Sequence, residues 1–393
     1  MEKNNIKIFT TLFFSLFTAV LGVGIVVPLL PVYAHDLGAS GIYIGLIFGS
    51  FSLSRTFLLP YFGRVSDRKG RKPYIVAGLL GYALVSIAFI FFTNVESLII
   101  IRFFQGIASA MIMPVTQAYV GDITPKGREG FYMGLFNLSI FGSLSIGPLL
   151  GGVISEYFNL QTAFISMGFF SFISFFMSLA FLPSVKTENV VSRNMAPVEW
   201  GRLLKDPIIS GLCIVRLAYV TCIGIIWCFL PVYADSKFGL SSSSIGILVM
   251  LAVFISGLMQ VPMGYLADRV NKVYMIIFGG IVVCFAFFFF LLADGFKDLV
   301  IANIIFGLGG GIAMPPLMAM SVLKGNETSS MGSVMALMTL AHSLGMLNGS
   351  IIAGLAMDLF ELSYSFYFGS IIMFFGVLLF YICTLRQRAV WSG

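Results

Sequence analysis

Gly63-Arg64-Val65-Ser66-Asp67-Arg68-Lys69-Gly70-Arg71-Lys72-Pro73 is the stretch on which the reading of this chain turns. Five of its eleven residues are Arg or Lys, and a single acid, Asp67, stands among them. On either side lie apolar runs, Ile42 to Phe62 and Tyr74 to Phe92, each close to the ~20 residues with which a helix crosses a bilayer. A short basic connection between two such runs stays on the cytoplasmic side of a membrane. The pattern then returns as Gly264-Tyr265-Leu266-Ala267-Asp268-Arg269-Val270-Asn271-Lys272, with the Asp-Arg pair displaced by 201 positions.

A displacement of 200 or 201 positions recurs elsewhere. Pro31-Val32-Tyr33-Ala34 reappears as Pro231-Val232-Tyr233-Ala234, Ile44-Gly45 as Ile245-Gly246, and Met113-Pro114 as Met314-Pro315. Arg102 to Gly106 aligns with Asn303 to Gly307. The chain reads as a duplicated membrane unit, because soluble solenoids repeat at about 20–50 residues.

Composition agrees. Hydrophobic residues make up 59% of the 393 residues and charged residues 10%, with a mean hydropathy of +1.00; a soluble domain carries about 25% charge. The net charge of +6 points to lipid headgroups rather than nucleic acid, since the bases fall in short connections between apolar runs. Cys213, Cys222, Cys228, Cys284 and Cys383 all lie in apolar runs without C-x-x-C spacing, so they read as packing residues and call for neither a disulfide nor a metal. The amino-terminal apolar run, lasting to about Tyr33, is too long for a signal-peptide core and reads as a retained span.

Twelve spans follow from apolar runs against charge and turn breaks: 8–33, 42–62, 74–93, 97–120, 131–155, 161–182, 208–233, 243–266, 273–293, 298–321, 331–357 and 364–385. With the amino terminus inside, eighteen Lys and Arg fall on the inner side, and only Lys237 and Lys297 on the outer. That bias predicts both termini in the cytoplasm of a multi-pass plasma-membrane protein. The predicted organisation is an all-α protein of two pseudosymmetric six-helix bundles, residues 1–183 and 208–393. A cytoplasmic linker, 184–207, joins them, and Val198, Trp200, Leu203 and Leu204 suggest a short amphipathic helix within it.

Twelve spans in parallel halves around this charged stretch resemble the major facilitator superfamily, and the resemblance covers nearly the whole chain. The family signature G-x-L-x-D-R-x-G-R-K after span 2 is matched at Gly63, Asp67, Arg68, Gly70, Arg71 and Lys72, with Val65 in place of Leu. R-x-x-Q-G in span 4 is matched at Arg102, Gln105 and Gly106, and a glycine-rich span-5 motif at Gly142, Gly147, Pro148, Gly151 and Gly152. The last motif is associated in the family with drug:proton antiporters.

The resemblance implies that Asp67 meets the start of span 11, near Ser329-Ser330-Met331, and that Asp122, at the inner end of span 4, and Arg128 are the acid and base that complete a cytoplasmic charge network. By pseudosymmetry Asp268, followed by Arg269 as a further gate residue, would face the start of span 5, near Gly130. Together these contacts read as a gate latch. For the span-5 motif two readings compete: glycines for close helix packing, and a hinge made by Gly147-Pro148. The hinge is favoured, because span 11 keeps Gly349 and Gly354 but has no matching proline.

No Asp or Glu lies near the middle of any span, whereas Arg55, Arg102 and Arg216 lie inside spans. Intramembrane charge is costly enough to be functional by default. Arg102 is the position for substrate binding or proton coupling; Arg55 and Arg216 can also reach toward headgroups. Gln105, Asn137, Tyr219, Trp227, Gln260, Asn303, His342 and Asn348 are further cavity candidates, with His342 able to titrate near neutral pH. A cavity holding embedded cations without anions favours neutral or anionic amphiphiles.

The expected activity is secondary active, proton-coupled export of small amphiphilic molecules or drugs by rocker-switch alternating access, with an importer or a lipid or metabolite flippase as the alternative. The partners are a small-molecule substrate, protons and the bilayer, acting on a monomer, with no cofactor. H-E-x-x-H, G-x-S-x-G and paired intramembrane carboxylates are absent from the sequence, which argues against an enzyme. G-x-x-x-x-G-K-[ST] is absent too, so an ion gradient rather than ATP is the energy source.

Overall fold

The computed structural model describes residues 3–124, 129–183, 200–328 and 330–391. These form helices only: α1 (Lys3–Val26), α2 (Leu29–Asp36), α3 (Gly41–Lys69), α4 (Lys72–Phe91), α5 (Val95–Ile123), α6 (Glu129–Tyr157) and α7 (Leu160–Phe181), then the single turn α8 (Trp200–Leu203). After it come α9 (Pro207–Phe238), α10 (Ser242–Ala267), α11 (Lys272–Leu291), α12 (Phe296–Glu327), α13 (Met331–Leu359) and α14 (Tyr364–Trp391). Twelve segments are long and apolar enough to cross a membrane, α1 and α2 counting as one broken at Val27-Pro28. Most of the predicted linker lies outside the described residues, and of its expected amphipathic helix the described part is α8 alone.

The helices overrun the predicted spans. α3 continues through the basic stretch to Lys69, and α12 to Glu327. Hydropathy marks where a helix meets lipid, not where its hydrogen-bond ladder ends. α3 stops where Gly70 takes φ +91, a left-handed conformation that glycine adopts without a Cβ clash.

Two compact units emerge. The first comprises residues 1–39, 46–192 and 239–250, the second 40–45, 193–238 and 251–393, so the first turns of α3 and α10 each belong to the opposite unit from the rest of their helix. In the first, α1 packs on α6 and α7, and α4 on α5 and α7; in the second, α9 packs on α13 and α14, and α11 on α12 and α14. The duplication seen in sequence is thus repeated in helix pairing.

Side chains follow the solvent logic of a bilayer. Large apolar residues such as Phe57, Phe91, Phe169 and Val261 stay exposed, as lipid-facing residues do. Several buried hydroxyls return to their own helix: Ser143 donates to the Ser139 carbonyl, Ser171 to Met167 and Ser321 to Leu317. With no water to hand, a local carbonyl is the available partner.

Candidate functional site: charged ends and embedded arginines

Gly70 turns the chain so that Arg71, 9% exposed, folds back on α3. Its guanidinium pairs with Asp67 one turn earlier, donates from Nε to Asp122 Oδ2 of α5 at 3.0 Å, and donates from Nη1 to Ser66 Oγ at 2.8 Å. Arg71 is therefore the hub, and Asp67 and Asp122 are its two acids. Gly63 has open space around it, Arg68 is exposed and Lys72 half-buried. Arg128 and Ser329 lie outside the described residues.

The second copy is built differently. Asn271 stands where Gly70 does, and its Oδ1 accepts from Val273 N at 2.9 Å, capping α11 with a side chain instead of a left-handed turn. Arg269 folds back onto an aromatic ring instead of an acid: its guanidinium lies 4.1 Å from the ring centre of Tyr265 and donates to the Tyr265 hydroxyl. Among the described residues Asp268 and Arg269 form no ion pair. An unexpected cluster stands in this unit instead. Lys324, 8% exposed, pairs with Asp206 at 3.3 Å and with Glu327 at 2.8 Å, while Asp206 also accepts from Ile208 N at the start of α9.

The glycines of α6 serve close packing. A Cβ on Gly147 would stand 2.8 Å from Gly24 Cα, and one on Gly151 would strike the Ile25 carbonyl. Gly152 lies likewise against Ser242, while Gly142 has only ordinary contact with Phe17. The pair Gly24–Gly147 is repeated as Gly224–Gly349, where a Cβ on Gly349 would lie 3.0 Å from Gly224 Cα. α6 runs unbroken through Pro148. Close packing therefore accounts for Gly147, Gly151 and Gly152, and for Gly224 and Gly349 in the second unit.

Two acids missed in the sequence occupy the far ends of these same helices. Asp358 of α13 accepts from Gly41 N at 2.5 Å and Ile42 N at 2.8 Å; Glu156 of α6 accepts from Ser243 N at 2.9 Å. Each carboxylate satisfies open amides in a helix first turn and complements its dipole. They are 202 positions apart, within one or two positions of the displacement of 200 to 201 that revealed the duplication, which was a signal for them.

The three embedded arginines differ in what surrounds them. Arg102 is 4% exposed. It donates from Nη1 to Gln105 Oε1 at 2.6 Å and from Nε to the Ile47 carbonyl at 3.4 Å, and lies between the rings of Phe48 and Phe51 at 4.8 and 4.6 Å. Gly106 lets α3 come this close, its Cα facing Ser54 Oγ and the Phe51 carbonyl. Arg216 instead donates from Nη1 to the Met314 thioether at 3.0 Å and meets His342 Nδ1 from Nη2 at 3.4 Å, leaving Nε buried without a hydrogen-bond partner. Arg55 Nε is likewise buried and without a hydrogen-bond partner.

Other candidates scatter. Tyr219 stacks on Phe306 at 5.9 Å, with its hydroxyl seated against Gly310. Asn303, buried, donates to the Leu299 carbonyl at 2.8 Å, while its Oδ1 finds no hydrogen-bond donor. Asn137 and Asn348 are exposed, Trp227 and Gln260 half-buried. A cleft of about 330 Å³ between α4 and α5 is lined by apolar side chains including Leu84, Phe104 and Met111; none of the arginines lines it.

A profile of the Major Facilitator Superfamily matches residues 12–322 and 212–390. The chain belongs to the major facilitator superfamily. An uncharacterized MFS-type transporter of Methanocaldococcus jannaschii is 30% identical over 94% of this chain and 95% of its own. Multidrug resistance protein 1 of Bacillus subtilis is 28% identical, covering 96% of each. Among solved structures, the nucleoside transporter NupG superposes with a TM-score of 0.83 at 13% identity, over 96% of this chain and 99% of that one, which is a likeness of fold. The superfamily fold accounts for the twelve spans and the charged stretch after α3, and this chain is a polytopic membrane transporter, not an enzyme.

Proposed function

We propose that this transporter is a secondary active exporter of small amphiphilic molecules, driven by protons moving inward, with both termini in the cytoplasm and a monomer in the plasma membrane as the working unit. The observation that carries the reading is the end-to-end similarity to a multidrug resistance protein, with 96% of each chain aligned. The eighteen-to-two distribution of Lys and Arg supports the orientation. Alternating access of two duplicated halves supplies the mechanism, and the Arg71 cluster with Asp67 and Asp122 is the inner charged latch that must rearrange in each cycle.

The test uses inside-out vesicles containing the full chain. With the lumen acidified, a fluorescent amphiphile should accumulate inside, and a protonophore should abolish the accumulation. Accumulation that ignores the proton gradient removes proton coupling. Accumulation only in right-side-out vesicles replaces export by import.

A further inference from the structure

Arg216 is an embedded cation whose partners do not balance its charge. A thioether is a weak acceptor, and arginine has no lone pair to offer, so His342 Nδ1 can serve it only as the unprotonated, neutral nitrogen. Both partners come from neighbouring helices of the same unit, Met314 from α12 and His342 from α13, so the guanidinium is held inward among helices and not along the lipid surface. Met314 is itself 6% exposed.

No described carboxylate forms an ion pair with Arg216. The nearest acids along the three helices are Asp206, Glu327 and Asp358, roughly 15, 20 and 24 Å distant along their own axes from Arg216, Met314 and His342 at ~1.5 Å per residue. All three are already engaged: Asp206 and Glu327 with Lys324, Asp358 with the amides of α3. A buried, unbalanced guanidinium is expensive in low dielectric. Its planar fork matches a carboxylate or sulfonate through two parallel N–H donors.

We propose that Arg216, framed by Met314 and His342, is the subsite that receives the anionic head of a transported organic anion, while the apolar remainder of the molecule lies among the aromatic and methionine side chains of the second unit. This rests on the transport reading and names its substrate class. Arg102 is not the equivalent site, because Gln105, the Ile47 carbonyl and two phenyl rings already occupy its donors and faces.

The experiment measures equilibrium binding to the purified full chain in detergent, which does not require transport. Three probes are used: anilinonaphthalene sulfonate, its uncharged relative N-phenylnaphthylamine, and the cation tetraphenylphosphonium. Arg216→Gln should weaken sulfonate binding about 10–100-fold, the scale of one charge-assisted contact, while the neutral probe changes less than about twofold. Arg216→Lys should restore only part of the loss, because the ammonium keeps the charge and loses the two parallel donors. Equal losses for sulfonate and neutral probe, or none for either, overturn the proposal. If Arg216→Gln no longer shows a folding transition, the lysine variant decides: undiminished sulfonate affinity there overturns the bidentate site. Failure of the exporter reading looks different, because then wild-type vesicles move none of the three probes whatever the variants bind. Vesicles that move the neutral or cationic probe while sulfonate neither binds nor moves retain the exporter and remove the anion site.

Discussion

The two halves share a scaffold and differ in the polar groups mounted on it. Gly24 against Gly147 and Gly224 against Gly349 bring equivalent helices into backbone contact in each. On that common frame, the first half holds Arg71 between Asp67 and Asp122 and Arg102 against Gln105 and two rings, while Arg55 keeps a buried Nε without a hydrogen-bond partner. The second half holds Arg216 against a thioether and an imidazole nitrogen. Duplication therefore conserved what packing demands, where a single methyl is a collision, and left free what polar chemistry permits. An arginine's role in a membrane is decided by how many of its donors the protein itself satisfies.

The largest effect should come from breaking the shared frame. Gly147→Val and Gly349→Val each place side-chain atoms against backbone that cannot swing aside, and each should cost ~3 kcal/mol or more, the upper end of overpacking. Loss of the folded monomer peak on size exclusion for both checks this; tolerance of one alone would show that the scaffolds are not equivalent. Next comes the arginine contrast itself. Arg102→Ala leaves Gln105 without its cation and should cost about 1–3 kcal/mol in thermal unfolding. Arg216→Ala removes an unbalanced charge and should leave stability unchanged or raise it. A larger loss for Arg216→Ala would reverse the assignment of roles.

The charged ends give smaller effects. Asp67→Asn keeps one acid on Arg71 and should slow transport about tenfold, equivalent to ~1.4 kcal/mol on the barrier, with insertion preserved. Asp268→Asn, which breaks no ion pair with the described residues, should change the rate less than about twofold. Equal slowing would mean that the second stretch acts as a latch after all. Smallest is Asp358→Asn: the exposed cap on α3 should contribute at most about 1 kcal/mol, read as a small drop in melting temperature.

Twelve spans, their duplication and the family were legible in the sequence, because hydropathy over some twenty residues and identity at a fixed displacement are sums over neighbours in the chain. So were the positions of Asp67, Arg71, Arg102 and Arg216 as rare charges in an apolar context. Their partners were not legible. The favoured hinge at Gly147-Pro148 was inferred from a proline present in one half only, whereas the reason for Gly147 lies on α1, more than a hundred residues earlier in the chain. Lys324 and Asp206 stand 118 positions apart in the chain, and they pair only because the end of α12 meets the start of α9. Arg102 and Arg216 have the same chemistry and similarly apolar neighbours along the helix. Only the tertiary structure gave one a glutamine and two phenyl faces and the other a thioether and an imidazole, because a guanidinium's charge is balanced through space, by groups that other helices deliver.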